Sequence, residues 1–459
     1  MREMTVEQMA LINIMAYYDI KYKEGVSLEK HIRDIKKDPK RWDNLTKSEP
    51  AIALKDKAEK VLNAIMNDEI LSKFYVLATN QSAETEKGPL DICLVNNEDK
   101  TAFFLYRGTG DREWLDNAEG FLRESSKMQI EALGFYNDVI SKNKLVEKGY
   151  AIDVTGHSKG GNKAQYITIK SPYVRQCFSF EGQGFSNEFL EQNKEKIKRN
   201  EHKITNYASS VDYVHPLGNN IAGKTKWYVA NRPHENIFQL SNYSGVANCL
   251  LAHSPSSYIH FDHNERMHMN KSTKQSQISS DLQEICLRMM QAPKSDKTVY
   301  FKTIMASFQM MKKVEPLANI EMPSKQEFIN GLKETMDFIR ENGGSKLVLH
   351  LMTAGPVKIS KDIDYLINRN KEELGEIHDF IPRDDVVKLS KGDVCIYQKK
   401  ENNLCFIGFQ QDGNMIGRLS KYEKNISETK KYLKEYNENV KSAESPSLKK
   451  RYNGLEIGE

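Results

Sequence analysis

The stretch Val154-Thr155-Gly156-His157-Ser158-Lys159-Gly160-Gly161-Asn162-Lys163 sets a serine between two glycines, with a third glycine directly after. Before it, Gly149-Tyr150-Ala151-Ile152-Asp153-Val154 reads as a strand; after it, Asn162-Lys163-Ala164-Gln165-Tyr166-Ile167-Thr168-Ile169 reads as the start of a helix. Gly-x-Ser-x-Gly on a strand-to-helix turn is a nucleophile elbow. Its glycines are required because a tightly bent backbone leaves no room for a Cβ on either flank. The elbow exposes Ser158 Oγ and aims the Lys159 amide at a developing oxyanion, where the helix N-terminus also favours negative charge. Without the flanking strand and helix, the same spacing fits an ordinary glycine loop.

A serine hydroxyl needs a histidine to take its proton and a carboxylate to hold that histidine. In an α/β-hydrolase the chain order is Ser, then Asp or Glu, then His. Two strand-like runs after Ser158 end in acids. They are Cys177-Phe178-Ser179-Phe180-Glu181, and Ile204 to Ser209 followed by Ser210-Val211-Asp212. Asp212 is the favoured carboxylate and Glu181 the alternative; the plainer reading of Asp212 is a turn cap. His253, in the loop after Leu250-Leu251-Ala252, is the favoured base and His260 the second choice. His215, His234, His263 and His268 lie nearby in the chain. For a second oxyanion donor besides the Lys159 amide, Thr101-Ala102-Phe103-Phe104-Leu105-Tyr106 runs into Arg107-Gly108-Thr109-Gly110. A glycine-flanked turn of this kind offers the Thr109 amide and hydroxyl, although it also suits an ordinary turn after a core strand.

These residues resemble a known group. Aromatic-Arg-Gly-Thr, then Trp114 and Asn117, then Gly-His-Ser-Lys-Gly-Gly-Asn, is similar to a lipase-like α/β-hydrolase family of Gram-positive bacteria, catalogued largely as a domain of unknown function. That family is similar in turn to the class 3, fungal-type lipases. The opening helix Thr5–Asp19, Asp212 and the His253-Ser254 segment match the same pattern, over about residues 1–270. The resemblance implies an esterase, lipase or phospholipase. Ser158, Asp212 and His253 would form the triad, and Thr109 and Lys159 the oxyanion hole. One branch of such lipases is exported as toxins through type VII secretion, fused to a helical export domain. The long region that follows the hydrolase part here makes an antibacterial toxin with an immunity or export partner a further implication. A binding protein on a hydrolase scaffold, or a thioesterase or peptidase using the same triad, are the alternatives, since fold alone does not fix function.

Composition narrows the classes. The 67 basic and 63 acidic residues are well mixed and leave a net charge of only +4, so a nucleic-acid-binding surface is not expected. No run of about 18 apolar residues is present, so no transmembrane helix is expected. The start Met1-Arg2-Glu3-Met4-Thr5-Val6-Glu7 carries acids and no long apolar stretch. A conventional signal peptide is therefore not expected; the chain would be cytoplasmic or would leave by a leaderless route. The six cysteines show no Cys-x-x-Cys pair and read as reduced, structural residues. No cofactor is implied. The His260–His268 stretch concentrates ligand types, but His263 and His268 are five apart and do not share a helical face. It reads as a polar surface loop.

Along the chain, helix is expected over 1–35, a loop around Pro39 and Trp42, and helix over 50–70. Strands follow at 72–78, 90–95 and 101–106, and one long amphipathic helix at 115–145. The alternation predicts a three-layer α/β-hydrolase sandwich over residues 1–271. An accessory region, 272–459, is expected to be mainly helical with a small β-meander at Val394–Tyr397, Leu404–Ile407 and Met415–Ile416. A lysine-rich helix is expected near 424–442. This second region holds no catalytic motif and reads as an export, partner or substrate-access element.

Overall fold

In a computed structural model, residues 3–18, 20–45, 55–80, 90–110, 112–230, 253–312, 322–339, 341–342, 387–388, 394–400, 403–411 and 414–417 are described. His234, Cys249 and the expected 424–442 helix lie outside them.

The chain opens with four helices: α1 (Val6–Met15), α2 (Leu28–Lys36), α3 (Pro39–Leu45) and α4 (Lys55–Asn67). The single helix expected over 1–35 is thus two, separated by turns and an extended segment in which Ser27 bridges Tyr75. Pro39 opens a helix because its missing N–H and fixed φ suit a first helical position. Strands β1 (Tyr75–Thr79), β2 (Asp91–Asn96) and β3 (Thr101–Tyr106) follow. The long helix expected next is also two, α5 (Trp114–Leu122) and α6 (Lys127–Asn143). The break falls where Ser126 forms a capping box with Gln129, a stronger local signal than continued periodicity. Then come β4 (Ala151–His157), α7 (Lys159–Lys170), β5 (Val174–Phe180), α8 (Asn187–Asn200), β6 (Ile204–Ser209) and β7 (Lys224–Tyr228). A hairpin of β8 (Ile259–Phe261) and β9 (Met267–Met269) precedes the short β10 (Ser272–Thr273). Helices α9 (Gln277–Gln291), α10 (Lys294–Lys312) and α11 (Lys325–Ile339) come after it.

The main sheet has the order β1-β2-β3-β4-β5-β6-β7-β10. β1 to β3 are antiparallel, β3 to β7 are parallel, and β10 returns antiparallel to β7. Its central strands β2, β3 and β4 are buried along their length because both faces are covered. Side-chain alternation sends Phe103, Leu105, Ile92 and Leu94 to a core shared with α1, α2 and α4. It sends Ala102, Phe104, Tyr106, Cys93 and Val95 to a second core shared with α6 and α7. This mixed sheet between two helical layers, with a serine turn after β4, is the α/β-hydrolase fold.

Two compact units divide the chain: Met1–Asn231 with Ala252–Gln275 and Leu282–Phe338, and Arg232–Leu251 with Ser276–Asp281 and Ile339–Glu459. The helical residues Leu282–Phe338 therefore group with the sheet, where the sequence reading drew a boundary at 271. The reason is aromatic: Phe308 on α10 stacks on Trp114, and Phe301 on Phe121, at centroid distances of 4.9 Å each. In the second unit the described strands are β11 (Val387–Lys388), β12 (Val394–Lys400), β13 (Asn403–Gln411) and β14 (Asn414–Gly417). They form an antiparallel meander. Cys93, Cys177 and Cys286 are free and buried. Burial raises all three thiols, Cys177 to about 12 and Cys286 to about 11. Among the described residues no helix is long and apolar enough to cross a membrane.

Candidate active site

Four loops leave the carboxyl ends of neighbouring parallel strands: Arg107–Gly110 after β3, Ser158 after β4, Glu181 after β5 and Ser210–Asp212 after β6. That edge is where open α/β sheets assemble sites. The sheet ladder continues past the strand ends. The amide of Ser158 donates to Phe180 O at 2.8 Å, that of Glu181 to Tyr207 O at 2.8 Å and that of Ser210 to Tyr228 O at 2.8 Å. The turns are therefore held in register with one another.

Ser158 has φ +58° and ψ −126° and caps α7 without a side-chain bond to the helix. A non-glycine residue in this region is strained, and such strain concentrates at functional sites. The turn closes tightly because Gly160 has no side chain: a Cβ there would lie 1.9 Å from the Tyr106 carbonyl oxygen. Lys159 follows at the first position of α7, where amides have no partner within the helix. Its side chain is 1% exposed and pairs with Asp116 Oδ2 at 3.0 Å. Lys163, one turn on, pairs with Asp91 Oδ1 at 3.1 Å. Asn162 donates to the carbonyls of Gln183 and Gly184 at 3.2 Å each. The polar residues of the elbow motif thus bolt α7 to its surroundings, leaving the serine hydroxyl outside these contacts.

The Arg107–Gly110 turn approaches the serine closely. A Cβ on Gly108 would sit 3.0 Å from Ser158 Cβ and 3.0 Å from the His157 carbonyl oxygen. Asn117 Nδ2 donates to Thr109 Oγ1 at 3.1 Å. That bond uses an acceptor site of the Thr109 hydroxyl and leaves its proton to donate elsewhere.

Asp212 and His253 are brought together: His253 Nδ1 lies 2.7 Å from Asp212 Oδ1. Asp212 is fully buried and also accepts the amides of Val214 at 3.2 Å and His215 at 2.6 Å. The turn-cap and histidine-holding readings of this residue therefore describe one carboxylate serving both. The His253 ring lies 4.7 Å from that of His157, the residue before Ser158.

The rings of the other described candidate histidines have other partners. His260 bonds Asn270 Oδ1 at 2.9 Å and faces His268 across the β8–β9 hairpin, where His268 meets Asp262 at 3.2 Å. His215 is buried; its Nδ1 meets the Gly182 carbonyl at 3.2 Å, and burial lowers its pKa.

His157 had no assigned place in the triad, and Glu181 stood as the alternative carboxylate. His157 is buried, with Nδ1 2.5 Å from the Tyr17 hydroxyl and Nε2 2.9 Å from the His253 carbonyl oxygen and 3.0 Å from Glu181 Oε2. Burial first, and the neighbouring His253 second, hold its pKa well below the usual range. Glu181 Oε2 also lies 3.4 Å from His253 Nδ1. Burial, then the charge of Asp212, push the Glu181 carboxyl well above the carboxylate range. The only signal in the sequence was an acid standing between an apolar strand and Gly182. Among the described residues, His157, Glu181 and His253 are also a group whose ligand atoms cluster closely enough to suit a metal ion. The hydrogen-bond pattern argues against that use, because Nε2 of His157 must carry a proton to meet a carbonyl.

With its strand order, elbow turn and buried acid–histidine pair, the chain has an α/β-hydrolase fold. The model of a family described as Mbeg1-like matches residues 86–215, from the approach to β2 through Ser158 to just past Asp212. Among solved structures, Lip2 lipase from Yarrowia lipolytica is similar at 15% identity and a TM-score of 0.27, over 34% of this chain and 67% of that one. A lipase from Rhizopus microsporus var. chinensis is similar at 15% identity and a TM-score of 0.27, over 49% and 75%. A fungal lipase is similar at 15% identity and a TM-score of 0.31, over 49% and 78%. No curated protein matches the sequence significantly.

Proposed function

We propose that the protein is a carboxylic ester hydrolase, a lipase or phospholipase, that cleaves acyl esters through Ser158. One observation carries this reading. A serine at φ +58° caps a helix without spending its own hydroxyl, and the residue before it packs on a histidine whose Nδ1 is 2.7 Å from a buried carboxylate. His253 draws the proton from Ser158, and the alkoxide attacks the acyl carbonyl. Asp212 keeps the proton on Nδ1, so that Nε2 is free to act as base, and stabilises the imidazolium that forms. The Lys159 amide and the Thr109 turn receive the charge on the tetrahedral oxyanion, each donor contributing about 10²–10³-fold. His253 then protonates the leaving alcohol, and water releases the acyl group. The site needs no cofactor for this chemistry.

Ser158→Ala is expected to lower hydrolysis about 10⁴-fold or more. The measurement is a panel of p-nitrophenyl esters of rising chain length, triacylglycerol emulsions and phospholipid vesicles, read by mass spectrometry of released lipids. Equal hydrolysis by both chains would sink the reading. The resemblance extends it to a secreted toxin held by an immunity partner. The same two chains, expressed in susceptible bacteria, test that extension: growth arrest should follow the active chain alone.

A further inference from the structure

Glu181 sits where a glutamate is unfavourable on two counts. Its φ is +51°, a left-handed conformation that suits glycine, and its carboxyl group is fully buried, which penalises charge. Both are tolerated in a place where its contacts converge on the candidate base. Oε1 accepts the Ser209 amide at 3.1 Å. Oε2 lies 3.0 Å from His157 Nε2 and 3.4 Å from His253 Nδ1.

The protons can be assigned from the acceptors. The His253 carbonyl, 2.9 Å from His157 Nε2, can only accept, so Nε2 carries hydrogen and shares it between that carbonyl and Glu181. Nδ1 of His157 then accepts from the Tyr17 hydroxyl at 2.5 Å. His157 is a neutral ring with both nitrogens committed, one of them gripping the backbone of His253. The His253 Nδ1–H in turn faces two carboxyl groups, Asp212 at 2.7 Å and Glu181 at 3.4 Å.

We propose that Glu181 is a positioning residue for His253, a second carboxyl group on the ring N–H held by Asp212, and that it takes over that hold when the Asp212 side chain is removed. This rests on the reading of His253 as the base. Two buried carboxyl groups on one N–H do not both ionise, because like charges so close repel strongly. Asp212 has two backbone amides on its oxygens and the shorter contact to Nδ1; burial and the neighbouring Asp212 both disfavour the ionised form of Glu181. The other groups facing Glu181 are His157 and His253, with Tyr258 interacting with it through charge and Tyr17 behind His157. None of these, among the described residues, is a lysine or arginine; the ionised form of Glu181 leans on the N–H groups of Ser209, His157 and His253 alone. Removing Asp212 removes the repulsion. The ionised form of Glu181 is then easier to reach, and it is the carboxylate left beside Nδ1–H.

The test is a cycle of four chains: wild type, Asp212→Ala, Glu181→Gln and the double variant. Two readouts are taken, kcat/KM on a p-nitrophenyl ester across pH, and the titration of the His253 ring by NMR. Glu181→Gln alone is expected to cost less than about tenfold, since the shorter bond to Asp212 remains. Added to Asp212→Ala it is expected to cost about 100-fold, the coupling that marks a shared task. Asp212→Ala is expected to gain a limb in which the rate rises with pH as Glu181 ionises; the double variant should lack it. The His253 pKa is expected to be higher in Asp212→Ala than in the double variant, because a neighbouring anion favours the imidazolium. Equal costs in both backgrounds, or equal His253 pKa values, overturn the proposal. If the Gln variants do not fold, Glu181→Asp in the Asp212→Ala background replaces them. The shorter acid should lower the His253 pKa and the rate, and an unchanged titration overturns the proposal. The ring titration does not depend on turnover. A normal pKa gap without any ester cleavage sinks the esterase reading and leaves this inference standing; cleavage that depends on Ser158, with no gap, does the reverse.

Discussion

At the scale of single residues, Glu181 has a signature in stability as well as in rate. Its folded-state pKa is raised by burial and by Asp212, while in the unfolded chain it ionises near 4.5. Above that pH the folded form binds more protons at this position than the unfolded one, so its contribution to stability falls as pH rises. Glu181→Gln has no such term. The variant should therefore gain on wild type between pH 5 and 7, at up to about 1.4 kcal/mol per pH unit, as read by denaturant unfolding at several pH values. A constant difference would mean that Glu181 is ionised in the folded protein. Ser158 was legible in the sequence because local spacing encodes its turn. The acid–histidine pair was visible as candidates, since an acid after a strand and a later histidine follow the fold's chain order. The contacts of His157 with Glu181 and His253 were not legible. They join residues 24 and 96 positions apart, and nothing in local pattern reports a meeting at that distance. The buried lysines were missed for a related reason, as Lys159 and Lys163 look like solvated residues until Asp116 and Asp91 are placed beside them.

Among elements, α5 is the bridge between chemistry and packing. It begins four residues after Gly110, and Asn117 within it holds the Thr109 hydroxyl. Its opposite support is α10, through the Trp114–Phe308 and Phe121–Phe301 stacks. Phe301 is 2% exposed, and Phe301→Ala should cost about 3–5 kcal/mol of stability by leaving a cavity. Denaturant unfolding checks that value. A loss under about 1 kcal/mol would mean that α10 does not support α5. Strands β2 and β3 were readable as largely apolar runs because both sheet faces are buried there. The break between α5 and α6 was harder to read: apolar periodicity runs across it, while the Ser126–Gln129 capping box that ends the continuity is a four-residue signal. Pro39 misled in the same way, since proline marks a loop and a helix start with equal ease.

For the whole molecule, the change of pattern near residue 272 suggested a domain boundary, yet the helical residues Leu282–Phe338 group with the sheet. Composition shifts report a change in element type, and the aromatic partners of α10 lie more than 170 positions earlier in the chain. A chain ending after residue 271 should precipitate or bind a hydrophobic dye, because Trp114 and Phe121 lose their stacking partners; one ending at Phe338 should give a sharp thermal transition. Sharp melting of both would place the boundary at 271 after all. The buried sulfhydryls carry a different consequence. Cys93 on β2, Cys177 on β5 and Cys286 on α9 hold their protons at neutral pH, so a maleimide reaches each only when its own element opens. The molecule thus carries built-in clocks in its sheet and in a later helix, whose labelling order would reveal which layer breathes first.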